Sequence, residues 1–284
     1  MKKIFRIGFL QSKEASWQKE QITSLIVPSG YQIEEVSFKG SEHLNKSLLD
    51  GSIDLVIIQA TKLALEFPEE FELIALTERL QVNDVVLGVN TTASLADYKI
   101  RVGVTSEIKL AFLKRYYTKA IATLEDNAET CIEKINKGSL DLAILAYEEA
   151  LPFGFDKFIQ ERIETSYFVP SAGQGSLAVL CHKKLPFGHK EVLQRWVNHE
   201  ETEDCFRSER SFLKTIDTSD NMLAFSYAHF EGALITLKAG LISSDGKSIF
   251  KIKKSAALGE SRELGKKVAL DVAHSIDESR VHTI

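Results

Sequence analysis

Gly51-Ser52-Ile53-Asp54-Leu55-Val56-Ile57-Ile58 returns, almost unchanged, as Gly138-Ser139-Leu140-Asp141-Leu142-Ala143-Ile144-Leu145. Each copy follows a helical pattern: Leu44, Leu48 and Leu49 precede the first, and Cys131, Ile132 and Ile135 the second. Each then becomes a short apolar run without polar alternation, which is how a strand buried on both faces of a parallel sheet reads. A second echo lies upstream. Ile4-Phe5-Arg6-Ile7-Gly8 leads into a loop holding Ser12, and Ile100-Arg101-Val102-Gly103-Val104 leads into Thr105-Ser106. An amphipathic helix begins after each, near Trp17 and near Leu110. The two echoes are offset by 95 and 87 residues. A solenoid would repeat every 20–50 or so, so the offset predicts two similar α/β lobes.

The loops after the first strand of each lobe have a stated chemistry. A helix N-terminus leaves unpaired N–H groups and a partial positive charge. A hydroxyl there caps the helix or helps bind an anion, and ligands of parallel α/β sheets sit beyond the carboxyl ends of the strands. Ser12 and Ser106 therefore have two readings, plain caps or contacts to a carboxylated small molecule, and spacing alone leaves both open.

Pro170-Ser171-Ala172-Gly173-Gln174-Gly175 is a tight loop before the apolar strand Leu177 to Leu180. Residues 183–217 read as helical and charged. Ala233 to Ile242 alternates, Ser244-Asp245-Gly246 turns, and Ile249 to Ile252 continues, a hairpin signal. A final helix is expected from about Ser261 to Ser275. Strands followed by a helix make a small α+β domain. The expected organisation is α/β: residues 1–80 with 177–196 form lobe 1, 84–170 form lobe 2, and 200–284 form a small α+β C-terminal domain.

Composition excludes several classes. The 284 residues are 44% hydrophobic and 26% charged, with 5 Pro and 16 Gly, which rules out collagen-like and largely disordered chains. The net charge of −5 disfavours a nucleic-acid partner held by bulk charge. Cys131, Cys181 and Cys205 are odd in number and lack CxxC spacing, so neither a disulfide framework nor a zinc ribbon is expected, and a reducing cytoplasm fits. No metal site is expected from the scattered His182, His189 and His199. Arg6 interrupts the apolar stretch after Lys2 and Lys3, so no signal peptide is expected, and no apolar run is long enough to cross a membrane.

Taken in order, the motifs resemble the hydroxymethylbilane synthase (porphobilinogen deaminase) family, whose members join four porphobilinogen units into a linear tetrapyrrole on the route to haem. The resemblance rests on Phe5 to Gly8, Asp54 to Pro68, Glu78-Arg79 with Asp84, Val102 to Ser106, Gly138 to Ala146, Pro170 to Val179, and Glu209-Arg210-Ser211-Phe212-Leu213-Lys214. It implies two periplasmic-binding-protein-like lobes and a third domain whose cysteine holds a dipyrromethane cofactor by a thioether. It also implies substrate contacts at Ser12, Gln18, Thr105, Ser106, Lys109, Asn127 and Gln174, with Gly173 and Gly175 flanking the last. The expected partner is a small carboxylated or pyrrole ligand in the interlobe cleft, with neither nucleic acid nor membrane, and the chain is expected to be a monomer.

The departures from the family pattern decide the functional expectation. The family's cofactor cysteine falls at Asp220, and a carboxylate forms no stable thioether. Its catalytic aspartate falls at Lys62, where a cation would repel the azafulvene cation that an anion stabilises. The family's ring of arginines, which neutralises acetate and propionate groups in bidentate fashion, falls at Leu10, Asn83, Ile108, Lys109, Cys131 and Pro152. No dipyrromethane, no catalytic residue and no porphobilinogen polymerisation are therefore expected. The expected role is a ligand-binding or regulatory paralogue, whose site prefers one or no carboxylates. The alternative is a divergent but active enzyme converting four porphobilinogen to hydroxymethylbilane.

Overall fold

The computed structural model describes residues 3–218 and 221–281. It divides into two compact units, Met1–Arg79 with Gly173–Glu203, and Leu80–Ala172 with Asp204–Ile284. The first unit begins β1 (Ile4–Leu10), α1 (Lys13–Ile26), β2 (Gln32–Phe38), α2 (Ser41–Leu49), β3 (Leu55–Gln59) and β4 (Phe71–Leu76). The second unit continues with β5 (Asp84–Leu87), β6 (Arg101–Val104), α3 (Glu107–Tyr116), β7 (Ile121–Leu124), α4 (Ala128–Asn136), β8 (Leu142–Ala146), the single turn α5 (Tyr147–Ala150) and β9 (Ile159–Arg162). The chain then supplies β10 (Leu177–His182) and α6 (Phe187–Trp196) to the first unit. It ends with α7 (Glu200–Thr215), β11 (Met222–Glu231), β12 (Leu234–Ser243), β13 (Ile249–Ala257) and α8 (Ser261–Val281).

The sheet orders are β2-β1-β3-β10-β4 and β7-β6-β8-β5-β9. In each, the first three strands are parallel and the fourth runs antiparallel. The repeat seen in the sequence is thus a repeat of topology. β3 and β8 occupy the middle of their sheets, where both faces are covered, and β8 is buried at every position. That burial accounts for their unbroken apolar runs.

The repeat also extends to side chains. The Arg6 guanidinium donates to both carboxylate oxygens of Asp54, at 3.1 and 2.7 Å, and the Arg6 amide donates to Asp54 at 2.8 Å. Arg101 makes the same three bonds to Asp141. The aspartate of each Gly-Ser-x-Asp stretch thereby fastens the start of the third strand to the first. Gly8 and Gly103 are equivalent too. A Cβ on Gly8 would lie 2.3 Å from Ile53 Cδ1, and one on Gly103 would lie 2.6 Å from Leu140 Cδ1. In both lobes the glycine leaves room for the apolar residue two places before its strand.

The antiparallel sheet β11-β12-β13 is the small α+β part, and its core joins Ile235, Leu237 and Leu241 to Phe212 of α7 and to Leu264, Val268 and Val272 of α8. The Asp245-Gly246 turn forms as expected: Asp245 Oδ1 accepts from the Ser243 hydroxyl at 2.6 Å and the Lys247 amide at 3.1 Å, and Gly246 has φ of +75°. Two expectations need correction. The helical stretch 183–217 breaks between α6 and α7, because Asn198 Oδ1 accepts from the Leu76 amide and the His199 amide donates to the Leu76 carbonyl. These bonds to β4 hold the chain out of helix. The last helix also runs past Ser275 to Val281. Among the described residues no helix is long and apolar enough to cross a membrane.

Candidate functional site

In the first unit, β1 ends in a loop whose Ser12 is the N-cap of α1, its hydroxyl accepting from the Ala15 amide at 3.1 Å. Glu14, on the first turn, accepts from the buried Gln18 amide at 3.3 Å and from Lys62 Nζ at 2.6 Å. Lys62 lies in a single 3-10 turn after β3. The position resembling the family's aspartate thus carries an ammonium already bonded to a carboxylate. Gln59 closes β3, is 2% exposed, and its amide nitrogen has no hydrogen-bond partner among the described residues. Gln174 is buried between Gly173 and Gly175, both with positive φ.

In the second unit, Ser106 caps α3 by accepting from the Lys109 amide at 3.3 Å, and Asn127 caps α4 by accepting from the Thr130 amide at 2.9 Å. The side chain of Lys109 is buried. Its Nζ lies 2.9 Å from Glu149 Oε2, 3.1 Å from Thr105 Oγ1 and 3.7 Å from Asp84 Oδ1. The same Glu149 oxygen also accepts from the Thr105 hydroxyl at 2.9 Å and from the Ala146 amide at 2.7 Å. Burial alone would push the Lys109 ammonium down, but Glu149 and Asp84 outweigh it and raise its pKa. Burial would likewise push Glu149 up. The Lys109 charge, with donors from Lys109, Ala146 and Thr105, instead holds it below the ordinary value.

The structure therefore joins Thr105 and Lys109 through a residue absent from the sequence expectation, Glu149, and joins Gln18 to Lys62 through another, Glu14. Asp84, named above only among the motifs that carry the resemblance, belongs to the Lys109 cluster. The missing signal lay in the repeat. Glu14 and Lys109 are 95 apart, the offset of Arg6 and Arg101, and Lys62 and Glu149 are 87 apart, the offset of Asp54 and Asp141. Each lobe thus bridges its first helical turn to the single helical turn after its central strand, β3 or β8, with an ion pair, and the polarity is reversed between lobes.

The remaining positions of the resembled arginine ring are mostly built into packing. Leu10, Ile108 and Cys131 belong to or pack on apolar clusters, and Asn83 donates to the Ile163 carbonyl at 2.8 Å. Asp220, at the resembled cofactor position, lies outside the described residues. All three cysteines are buried. Burial, reinforced by Glu125 for Cys131 and by Glu72 for Cys181, pushes both thiols up to about 12. At neutral pH neither offers the thiolate that thioether formation needs.

If Ser12, Ser106 and Asn127 serve only as caps, replacing each with Ala is expected to cost about 1 kcal/mol in urea unfolding, with no change in calorimetric titration by porphobilinogen or acetate. A selective loss of binding in one of these variants would assign that side chain to a ligand instead.

The family model described as "Porphobilinogen deaminase, dipyromethane cofactor binding domain" matches residues 31–187. The porphobilinogen deaminase of Desulfosudis oleivorans is 30% identical over 282 residues, spanning 92% of this chain and 91% of that protein. That of Cytophaga hutchinsonii is 28% identical over 287 residues, spanning 92% and 91%. Among solved structures, a periplasmic substrate-binding protein of an ABC transporter from Coxiella burnetii superposes with a TM-score of 0.47 at 14% identity, covering 67% of this chain and 90% of that chain.

Proposed function

Because the chain belongs to the porphobilinogen deaminase family, we propose that it is a member which binds a small ligand at its strand ends without polymerising porphobilinogen. One observation carries this reading: Lys62 stands at the position resembling the catalytic aspartate and is ion-paired to Glu14 at 2.6 Å. Expelling ammonia from porphobilinogen leaves an azafulvene cation. A fixed carboxylate aimed at that charge lowers the barrier, and an ammonium raises it. Glu14 does not replace the aspartate, because its charge is already spent on Lys62.

The residues present also do not suit a covalent dipyrromethane. The resembled attachment position is Asp220, and the buried thiols of Cys131 and Cys181 are held in the neutral form. Nor do the lobes suit a growing polyanion. Lys109 is the one cation left at the resembled arginine positions, and Glu149 and Asp84 both lie within ion-pair distance of it. An unpaired buried carboxylate costs several kcal/mol, so a ligand with one or no carboxylates is favoured. The Gln59 amide supplies a donor for a neutral oxygen at the end of β3. A ligand-binding or regulatory role follows from these features.

Purified protein incubated with porphobilinogen is expected to form no uroporphyrin after acid cyclisation and oxidation, and its intact mass should equal the sequence mass. The names of the relatives favour the other reading, an active deaminase. Uroporphyrin formation abolished by Lys62→Ala or Asp220→Ala, or a stable adduct of two pyrrole units, would establish that reading and remove ours.

A further inference from the structure

A single oxygen of Glu149 accepts three hydrogen bonds from three separate elements. The Ala146 amide comes from the end of β8, the Thr105 hydroxyl from the loop after β6, and the Lys109 ammonium from α3. A charged donor, a neutral side-chain donor and a main-chain donor converging on one oxygen make a binding site for a carboxylate. Its cation is buried and fixed at the strand ends, where ligands of α/β sheets bind. The oxygen in it belongs to the protein.

We propose that Glu149 is a built-in ligand: its carboxylate fills a carboxylate-binding site made by Lys109, Thr105 and the Ala146 amide, and so keeps external carboxylates out of the second lobe. This deepens the functional reading above and rests on it only for the location of ligand binding at the strand ends. The charge count supports it. Glu149 and Asp84 already surround one ammonium, so an added anion would meet a net negative cluster. Without Glu149 the ammonium keeps one carboxylate within ion-pair distance, Asp84, with Glu148 acting on it from farther off, and the Thr105 and Ala146 donors lose their acceptor. A small monocarboxylate such as acetate has the size and charge of what was removed. The first lobe serves as an internal contrast. There the equivalent of Glu149 is Lys62, so removing that side chain leaves the carboxylate of Glu14 and no anion site.

The test is thermal unfolding of Glu149→Ala in acetate against chloride at equal ionic strength. Acetate at about tenfold its dissociation constant is expected to raise the variant's Tm by about 3 °C over chloride. The unsubstituted protein, Glu149→Gln and Lys62→Ala should show no such difference, the first two because the site stays filled. If Glu149→Ala is recovered only in insoluble form, the refolding yield in acetate against chloride gives the same comparison, and a higher yield in acetate is expected. Equal behaviour of Glu149→Ala in the two salts would overturn the proposal. So would an acetate response of the same size in Glu149→Gln. The experiment contains no porphobilinogen, so its failure is separable from any finding of deaminase activity.

Discussion

Lys109→Ala is expected to lower the free energy of unfolding at pH 7 by about 3–5 kcal/mol, the range found when one partner of a buried ion pair is removed. The loss comes from what is left behind. Asp84 and Glu149 would remain close together without their shared cation, and Thr105 and the Ala146 amide cannot supply the charge. The pH dependence gives the mechanism away. With Lys109 in place, the depressed pKa of Glu149 contributes stability that is fully present above its ordinary value of 4.5 and is lost as pH falls through its lowered folded value. In the variant, desolvation and the neighbouring carboxylate act in the opposite direction, so the folded pKa rises above the unfolded one. Acidification then relieves the variant while it costs the unsubstituted protein. The stability gap should therefore narrow steadily as pH falls from 7 to about 4. Urea titrations at several pH values would check this, and a constant gap across that interval would show that the lost stability is not electrostatic.

Gly265→Ala should destabilise by about 2–3 kcal/mol and lower Tm by about 5–10 °C. A Cβ at Gly265 would lie 2.3 Å from the Ser208 carbonyl oxygen and 2.7 Å from the Phe212 amide nitrogen. These are main-chain atoms of α7, so no side-chain rotation makes room and the helix itself must move. Within α8 alone the change should help, since Ala is better than Gly in a helix interior by about 1 kcal/mol. The two effects have opposite signs, so the measured sign reports which one dominates. Leu270→Ala, on the exposed face of the same helix, is the control and should stay within about 0.5 kcal/mol. A stabilised Gly265→Ala would mean that α7 yields to the added Cβ at less cost than the helix propensity gained.

Much of the fold was legible because its strongest determinants are local. The Gly-Ser-x-Asp stretches and the apolar runs after them announce a buried central strand. Asp245-Gly246 announces a hairpin turn, and Ser12 and Ser106 each announce a helix start. The break at Val197–His199 was not legible, because its cause is the backbone of Leu76, more than a hundred residues away. Gln59 is not legible for the same reason: a strand's last polar residue shows its lack of a partner only through its neighbours in the fold.

The sequence by itself determined the two-lobe repeat, the family, and which side chains stand at the resembled catalytic positions, because these depend on residue identity, spacing and periods of two and 3.6. It also determined that Lys62 opposes the family's charge. Only the tertiary structure decided where the charges go. Glu14 and Lys62 are 48 residues apart, and Lys109 and Glu149 are 40 apart. No local periodicity links such positions. They meet because the sheet order sets β1 beside β3 and β6 beside β8, bringing the helix after one strand against the short helical turn after its neighbour. The sequence left Lys109 as a cation available to a ligand. The fold surrounds it with carboxylates of its own, because an ammonium this deeply buried stays charged only when paired.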